Sequence, residues 1–231
     1  MDTYLTQALN AFAGQSVGFD LFLDFIQGSY LVKGLFAVTI LVMVYTSRKG
    51  DDFERQNNVY TTLILIFASL FLARIMQMTL PFSPRPLHTE GLGLQLAAGL
   101  QENVLKQDSS FPSDHAVMFM TIAASVLFYS RLAGSVLLMH ALFIICLPRI
   151  ILGFHWPSDI AAGIVIGALM AVLLHRRIAN WLLHTRLSEF QARYPSLFYG
   201  LFFAVLVETA TMYRGSRHLL SALADFARNI S

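Results

Sequence analysis

Runs of apolar residues long enough to cross a lipid bilayer recur along this chain, and no other feature limits its fold so tightly. A hydrocarbon layer about 30 Å thick asks for roughly 20 such residues per helix, fewer where a helix starts at a protein-lined cavity. Six segments fit: 30–46, 59–80, 116–130, 134–152, 160–175 and 197–213. Charged residues make up only 13% of the chain, about half the share of a soluble domain, so a water-soluble fold would leave these runs uncovered. The expectation is an all-α fold, a polytopic membrane helix bundle of about six transmembrane helices forming one domain over residues 1–231.

The flanks read differently. In "VGFDLFLDFIQG", Asp20, Asp24 and Gln27 share one helical face opposite Phe22 and Ile26, the pattern of a helix lying in the membrane interface. Residues 1–28 are therefore an expected interfacial segment. The tail, 214–231, has Leu219, Leu223, Phe226 and Ile230 on one stripe and reads the same way. Either flank also fits a short helix packed on the bundle end. The first residues lack a basic n-region, so no cleaved leader is expected. The lone Cys146 cannot form an intramolecular disulfide and reads as a packing thiol.

Orientation follows from basic residues in short loops. Loops after the first, third and fifth spans carry Arg48, Lys49 and Arg55, then Arg131, then Arg176, Arg177, Arg186 and Arg193. The other side has Arg85, Lys106 and Arg149, with Arg214, Arg217 and Arg228 in the tail. The balance puts the odd loops in the cytoplasm, and loops 81–115 and 153–159 towards periplasm or exterior. A net charge of +2 with no basic run gives no footprint for nucleic acid. Gly163 and Gly167, four apart, permit close helix contact.

Three stretches on the outward side carry polar residues that a membrane helix end does not need. "PFSPRPLH" holds Arg85, "FPSDH" holds Ser113, Asp114 and His115, and "PRIILGFHWPSDI" holds Arg149, His155 and Asp159. Singly, each reads as a snorkelling arginine or a structural histidine. Together they are an expensive cluster, at roughly 2.5–3.5 kcal/mol per charged residue placed within the membrane, and such clusters mark function. Pro157 suits the first turn of a helix, which puts Asp159 within that turn just after His155. A carboxylate so placed can accept from one imidazole nitrogen and leave the other free to attack. Ser113 or Asp114 can cap the next helix, whose free N–H groups then suit an anion. Arg85 and Arg149 add donors shaped for phosphate oxygens, and His115 is left as an acid. The set reads as a phosphoryl-transfer site.

In order, Arg-Pro, Pro-Ser-x-His and Arg-x5-His-x3-Asp resemble the type 2 phosphatidic acid phosphatase superfamily over about residues 15–176. "FPSDH", with Asp where most members have Gly, together with "PRP", is similar to the bacitracin-resistance type of undecaprenyl diphosphatase. The resemblance implies a metal-independent, cofactor-free site at the outer membrane face. It implies His155 as nucleophile, oriented by Asp159, with His115 protonating the leaving group and Arg85, Arg149 and Ser113 holding phosphate. Two positions depart from the pattern: the usual lysine seven residues before Arg85 is Met78, and Pro148 replaces the usual serine before Arg149. Arg74, one helical turn deeper than Met78, either supplies part of the missing charge or is a snorkelling or structurally paired arginine, with Lys106 in the loop as the other cation. Asp114 either caps the helix or holds an arginine.

The expected partner is a lipid (di)phosphate within membrane lipids, undecaprenyl diphosphate first and phosphatidic acid or phosphatidylglycerol phosphate second. A lipid phosphotransferase would use the same residues, and a non-catalytic lipid-binding or transport protein is the reading from a different class. The stretch 91–104 reads as an ordinary surface helix or an amphipathic lid.

Overall fold

The structure is a computed structural model that describes residues 1–48 and 50–215. Residues 216–231, with the stripe Leu219, Leu223, Phe226 and Ile230 expected of the tail, lie outside the described residues. Among the described residues the chain is helical and irregular, with no strand. Two short helices come first, α1 (Asp2–Asn10) and α2 (Val17–Gly28). The apolar helices follow: α3 (Leu31–Tyr45), α4 (Asp52–Thr79), α5 (Asp114–Leu127), α6 (Arg131–Ile151) and α7 (Pro157–Leu183). A short α8 (Leu187–Arg193) leads to α9 (Pro195–Ala210).

Each expected span thus contains an apolar helix, but length separates them. Helices α4, α6 and α7, of 28, 21 and 27 residues, are long and apolar enough to cross a bilayer; α2 and α3, bent by 65°, make a fourth candidate as a broken pair. The 14 residues of α5 rise only about 21 Å, short of a hydrocarbon layer of about 30 Å. A helix can stop short where protein, not lipid, receives its end. That is the case here: α5 is buried on all sides from Ala116 to Met120 and again at Ser125 and Val126, packed against α4, α6 and α7. An apolar surface all round the helix is what such a central position requires.

Helix α7 comes closest to it. A methyl group placed on Gly163 would lie 2.7 Å from the Ala116 Cβ and 2.9 Å from the Ser113 carbonyl oxygen; on Gly167 it would lie 2.4 Å from the Val117 carbonyl oxygen. The small-residue pair therefore does what its spacing foretold: it lets the α7 backbone rest on the first turns of α5, so the N-terminal ends of both helices meet.

The N-terminal segment takes the second arrangement open to it, short helices packed on the bundle end. In α2, Asp20 and Gln27 are buried while Phe22 and Phe25 are exposed. The polar face turns inward, where Asp20 accepts from the backbone N–H groups of Gly14 and Ala98. Asn10 likewise bridges the Gln95 and Ile151 carbonyls. The first two helices thus pin the long connection between α4 and α5. That connection forms no α-helix over 91–104, only turns, with Gly91, Gly93 and Gly99 at positive φ, a region that ends helices.

The contact between α5 and α7 generates a test. Gly167→Ala is expected to destabilise the purified protein by about 1–3 kcal/mol through overpacking. Gly200→Ala, with nothing within 4 Å, is expected to be neutral or stabilising by up to about 1 kcal/mol. Thermal unfolding in detergent compares the two.

Candidate active site

Four chain segments deliver polar side chains to one end of the bundle: the N-termini of α5 and α7, the last turn of α6, and the connection after α4. Ser113 caps α5, its hydroxyl accepting from Ala116 N–H at 3.4 Å, and its own N–H points to the Asp159 carbonyl at 3.4 Å. At α7, Pro157 occupies the first turn and Asp159 reaches back to accept from Trp156 N–H at 2.9 Å, half of a capping box. The turn between α6 and α7 folds over Arg149, whose carbonyl accepts from the N–H groups of Phe154 and His155.

His155 is fully buried. Its Nδ1 lies 2.8 Å from the Ser110 carbonyl, which can only accept, so Nδ1 carries the proton. Nε2 is then the bare nitrogen, and Arg85 Nη1 donates to it across 3.2 Å. Burial, reinforced by the Arg149 and Arg85 charges and opposed by Asp159, pushes His155 down to about 4. The ring is therefore neutral at pH 7, with a lone pair available on Nε2. Arg85 also donates to the carbonyls of Asp108, Ser109 and Phe154, and so ties the connection after α4 to the loop that carries His155.

Asp159 does not make the direct hydrogen bond to His155 that its spacing predicts. Its Oδ2 is 3.8 Å from Nδ1 and accepts instead from the Ser110 hydroxyl. The link is relayed: Ser110 binds Asp159 with its side chain and His155 with its carbonyl. Ser110 is a site residue the sequence did not mark, because a backbone carbonyl leaves no residue-type signature.

The "FPSDH" cluster resolves the roles of its acid. Ser113 is the cap, and Asp114 holds an arginine. Asp114 Oδ2 accepts from Arg74 Nη2 at 2.8 Å, while Oδ1 accepts from His115 Nδ1 at 2.8 Å. His115 is thereby oriented with Nε2 as its free nitrogen. Arg74, also held by Gln77 at 2.9 Å, reaches the site but is spent on a carboxylate. Lys106 is exposed in the loop.

Arg149 is buried and donates from Nη1 to Gln27 Oε1 at 2.7 Å; its Nε is buried with no partner. Gln27, placed by the sequence on a water-facing surface, is thus a second unmarked member of the site. Its backbone carbonyl accepts from Lys33, itself buried on α3.

The sequence and the fold have known counterparts. The profile of the PAP2 superfamily matches residues 58–183. The chain belongs to the PAP2 superfamily. It is 31% identical over 163 residues to the putative undecaprenyl-diphosphatase YbjG of Escherichia coli (strain K12), covering 66% of this chain and 78% of that protein. It is 32% identical over 97 residues to the undecaprenyl-diphosphatase BcrC of Bacillus subtilis (strain 168), covering 41% of this chain and 45% of BcrC. The crystal structure of Aquifex aeolicus LpxE resembles it in fold, with a TM-score of 0.54 at 24% identity over 74% of this chain and 93% of that one. As a PAP2 member, the bundle is a membrane phosphatase acting on lipid phosphates. The matched PAP2 region begins within α4, so α1 to α3, with Gln27 and Lys33, lie outside it.

The low His155 value has a stability consequence. An unfolded histidine protonates near 6.5, the buried one near 4, so only the unfolded state gains a proton between those limits. Stability is expected to fall as pH drops from about 6.5 towards 4. His155→Gln should flatten that part of the curve, as read from unfolding midpoints across pH for both proteins.

Proposed function

We propose that this PAP2 member hydrolyses undecaprenyl diphosphate to undecaprenyl phosphate and inorganic phosphate, through a phosphohistidine on His155. The observation that carries the reading is the His155 tautomer: Nδ1–H is held by the Ser110 carbonyl, and the bare Nε2 faces Arg85. Named undecaprenyl-diphosphatases among its relatives support the substrate, as does a site set at the end of an apolar bundle, where a diphosphate headgroup sits while its tail stays in hydrocarbon.

The steps follow from the positions. His155 Nε2 attacks the terminal phosphorus, the bond to the bridging oxygen breaks, and protonated His115 gives its Nε2 proton to that oxygen. As phosphorus approaches, Arg85 Nη1 exchanges its contact with Nε2 for a phosphate oxygen, and the unpartnered Arg149 Nε donates to another. Water then attacks the phosphohistidine, His115 takes its proton, and inorganic phosphate leaves. Asp114 and Ser110 with Asp159 act as positioning groups, one for each imidazole. The positive charge that the transition state needs comes from guanidinium groups and the N-terminus of α5.

The site faces the periplasm or exterior in this reading. It stands at the end opposite the loops after α3 and α5, which meet around a cavity of about 820 Å³ lined by Ser47, Gly50, Asp51 and Ser130. The basic residues Arg48, Arg55 and Arg131 belong to that other end.

Purified protein with undecaprenyl diphosphate is expected to release inorganic phosphate, undiminished by excess chelator. His155→Ala should abolish both turnover and phosphoenzyme trapping. His115→Ala should lower kcat by about 10²–10⁴-fold, the worth of general acid–base help, with KM little changed. Faster release from phosphatidic acid than from undecaprenyl diphosphate would reassign the substrate. Transfer of the phosphoryl group to a second lipid would make it a phosphotransferase.

A further inference from the structure

In this PAP2 member, whose first motif has Met78 where a lysine is usual, we infer that Lys33 on α3 is a phosphate-binding residue, held beside Arg149 by Gln27. The inference rests on the phosphatase reading above and deepens it. Met78 is 84% exposed, on the outer surface of α4, so that position brings nothing to the site. Arg74 is engaged by Asp114 and Gln77. The missing charge comes instead from a helix that the matched region does not include.

Lys33 is 5% exposed, although an ammonium group loses strong hydration on burial and needs compensation. Among the described residues its one hydrogen-bond acceptor is the Gln27 carbonyl, whereas an ammonium has three donors. The nearby charges that act on it are Arg149 and Asp114, and Lys33 in turn acts on His115. Gln27 joins the two cations directly: its carbonyl accepts from Lys33 and its side-chain oxygen from Arg149 Nη1. Two like charges clamped side by side in a poorly polarisable interior repel, and the Asp114 carboxylate is already taken by Arg74 and His115. Among the described residues, the four cations Lys33, Arg85, Arg149 and Arg74 face three carboxylates, Asp108, Asp114 and Asp159. The imbalance, together with the open donors of Lys33 and the unpartnered Nε of Arg149, fits an incoming phosphate dianion.

The backbone around Lys33 is built to hold it there. Residues Leu31–Leu35 form a π-helical turn, as do His140–Cys146 on α6, a distortion frequent at functional sites. The two turns are tied together, His140 Nε2 donating to the Val32 carbonyl at 2.9 Å and the ring stacking on Phe36 at 4.6 Å. On the other side, Gly34 meets the Ala210 carbonyl so closely that a methyl group there would lie 1.8 Å from the oxygen. Lys33 is thus fixed laterally against α6, the helix that carries Arg149.

The test measures phosphate binding separately from turnover. Inorganic phosphate is expected to raise the unfolding midpoint of the wild-type protein by mass action, and Lys33→Met should weaken that binding by about 10–100-fold, the usual range for a lost charged hydrogen bond. The KM for undecaprenyl diphosphate should rise in parallel, and Lys33→Arg should recover part of both losses. Lys33→Gln carries the same expectation should Lys33→Met fail to fold. A phosphate affinity and KM in the folded Lys33→Met or Lys33→Gln protein equal to wild type would overturn the inference. Wild-type protein that binds phosphate but releases none from any lipid phosphate would overturn the phosphatase reading and leave the Lys33 result standing by itself.

Discussion

Guanidinium groups buried at the end of an apolar bundle need acceptors, and much of this structure is arranged around that demand. Arg85 meets it with backbone carbonyls from two separate loops, Arg74 with Asp114 and Gln77, and Arg149 with Gln27. Each solution draws a different segment to the same spot. The first two helices, the connection after α4 and the turn before α7 also share an apolar cluster that includes Leu23, Ala97, Leu152 and Phe154. The polar groups add direction to that packing, because they cannot be left alone.

That demand also explains how the two imidazoles come to differ. Both have Nδ1 against an oxygen and Nε2 directed elsewhere, but the oxygens are not alike. His155 meets a neutral carbonyl, and its burial, helped by the charges of Arg149 and Arg85, keeps it unprotonated. His115 meets the Asp114 carboxylate at 2.8 Å, which fixes the orientation of its ring. Asp114 therefore gives His115 a partner unlike that of His155, and its second oxygen is paired with Arg74.

Much of the site was legible in the sequence because its residues sit at helix starts, where residue type and spacing are informative. Ser113 as a cap, Pro157 at a first turn, and Arg149 and His155 around one turn all follow local rules. Ser110 was not legible, since it contributes a carbonyl. Gln27 was misread for a reason peculiar to membranes. Amphipathic patterns are usually interpreted with the polar face towards water, but the exterior of a bundle in lipid is apolar, and α2 turns Asp20 and Gln27 inward. Lys33 was hidden within an apolar run, where a lone lysine resembles one reaching for the surface. Over 91–104, leucine spacing pointed to a helix, and glycines at positive φ overruled it.

The grip of Arg85 on both loops divides the connection after α4 into parts held by different partners. Near its α5 end, Asp108, Ser109 and Ser110 are fixed to Arg85, His155 and Asp159. The glycine-rich middle carries no side chain of the catalytic set. That middle is held instead by Asn10 and Asp20, so a change in its length has to be matched in the first two helices, while the surroundings of His155 stay in register.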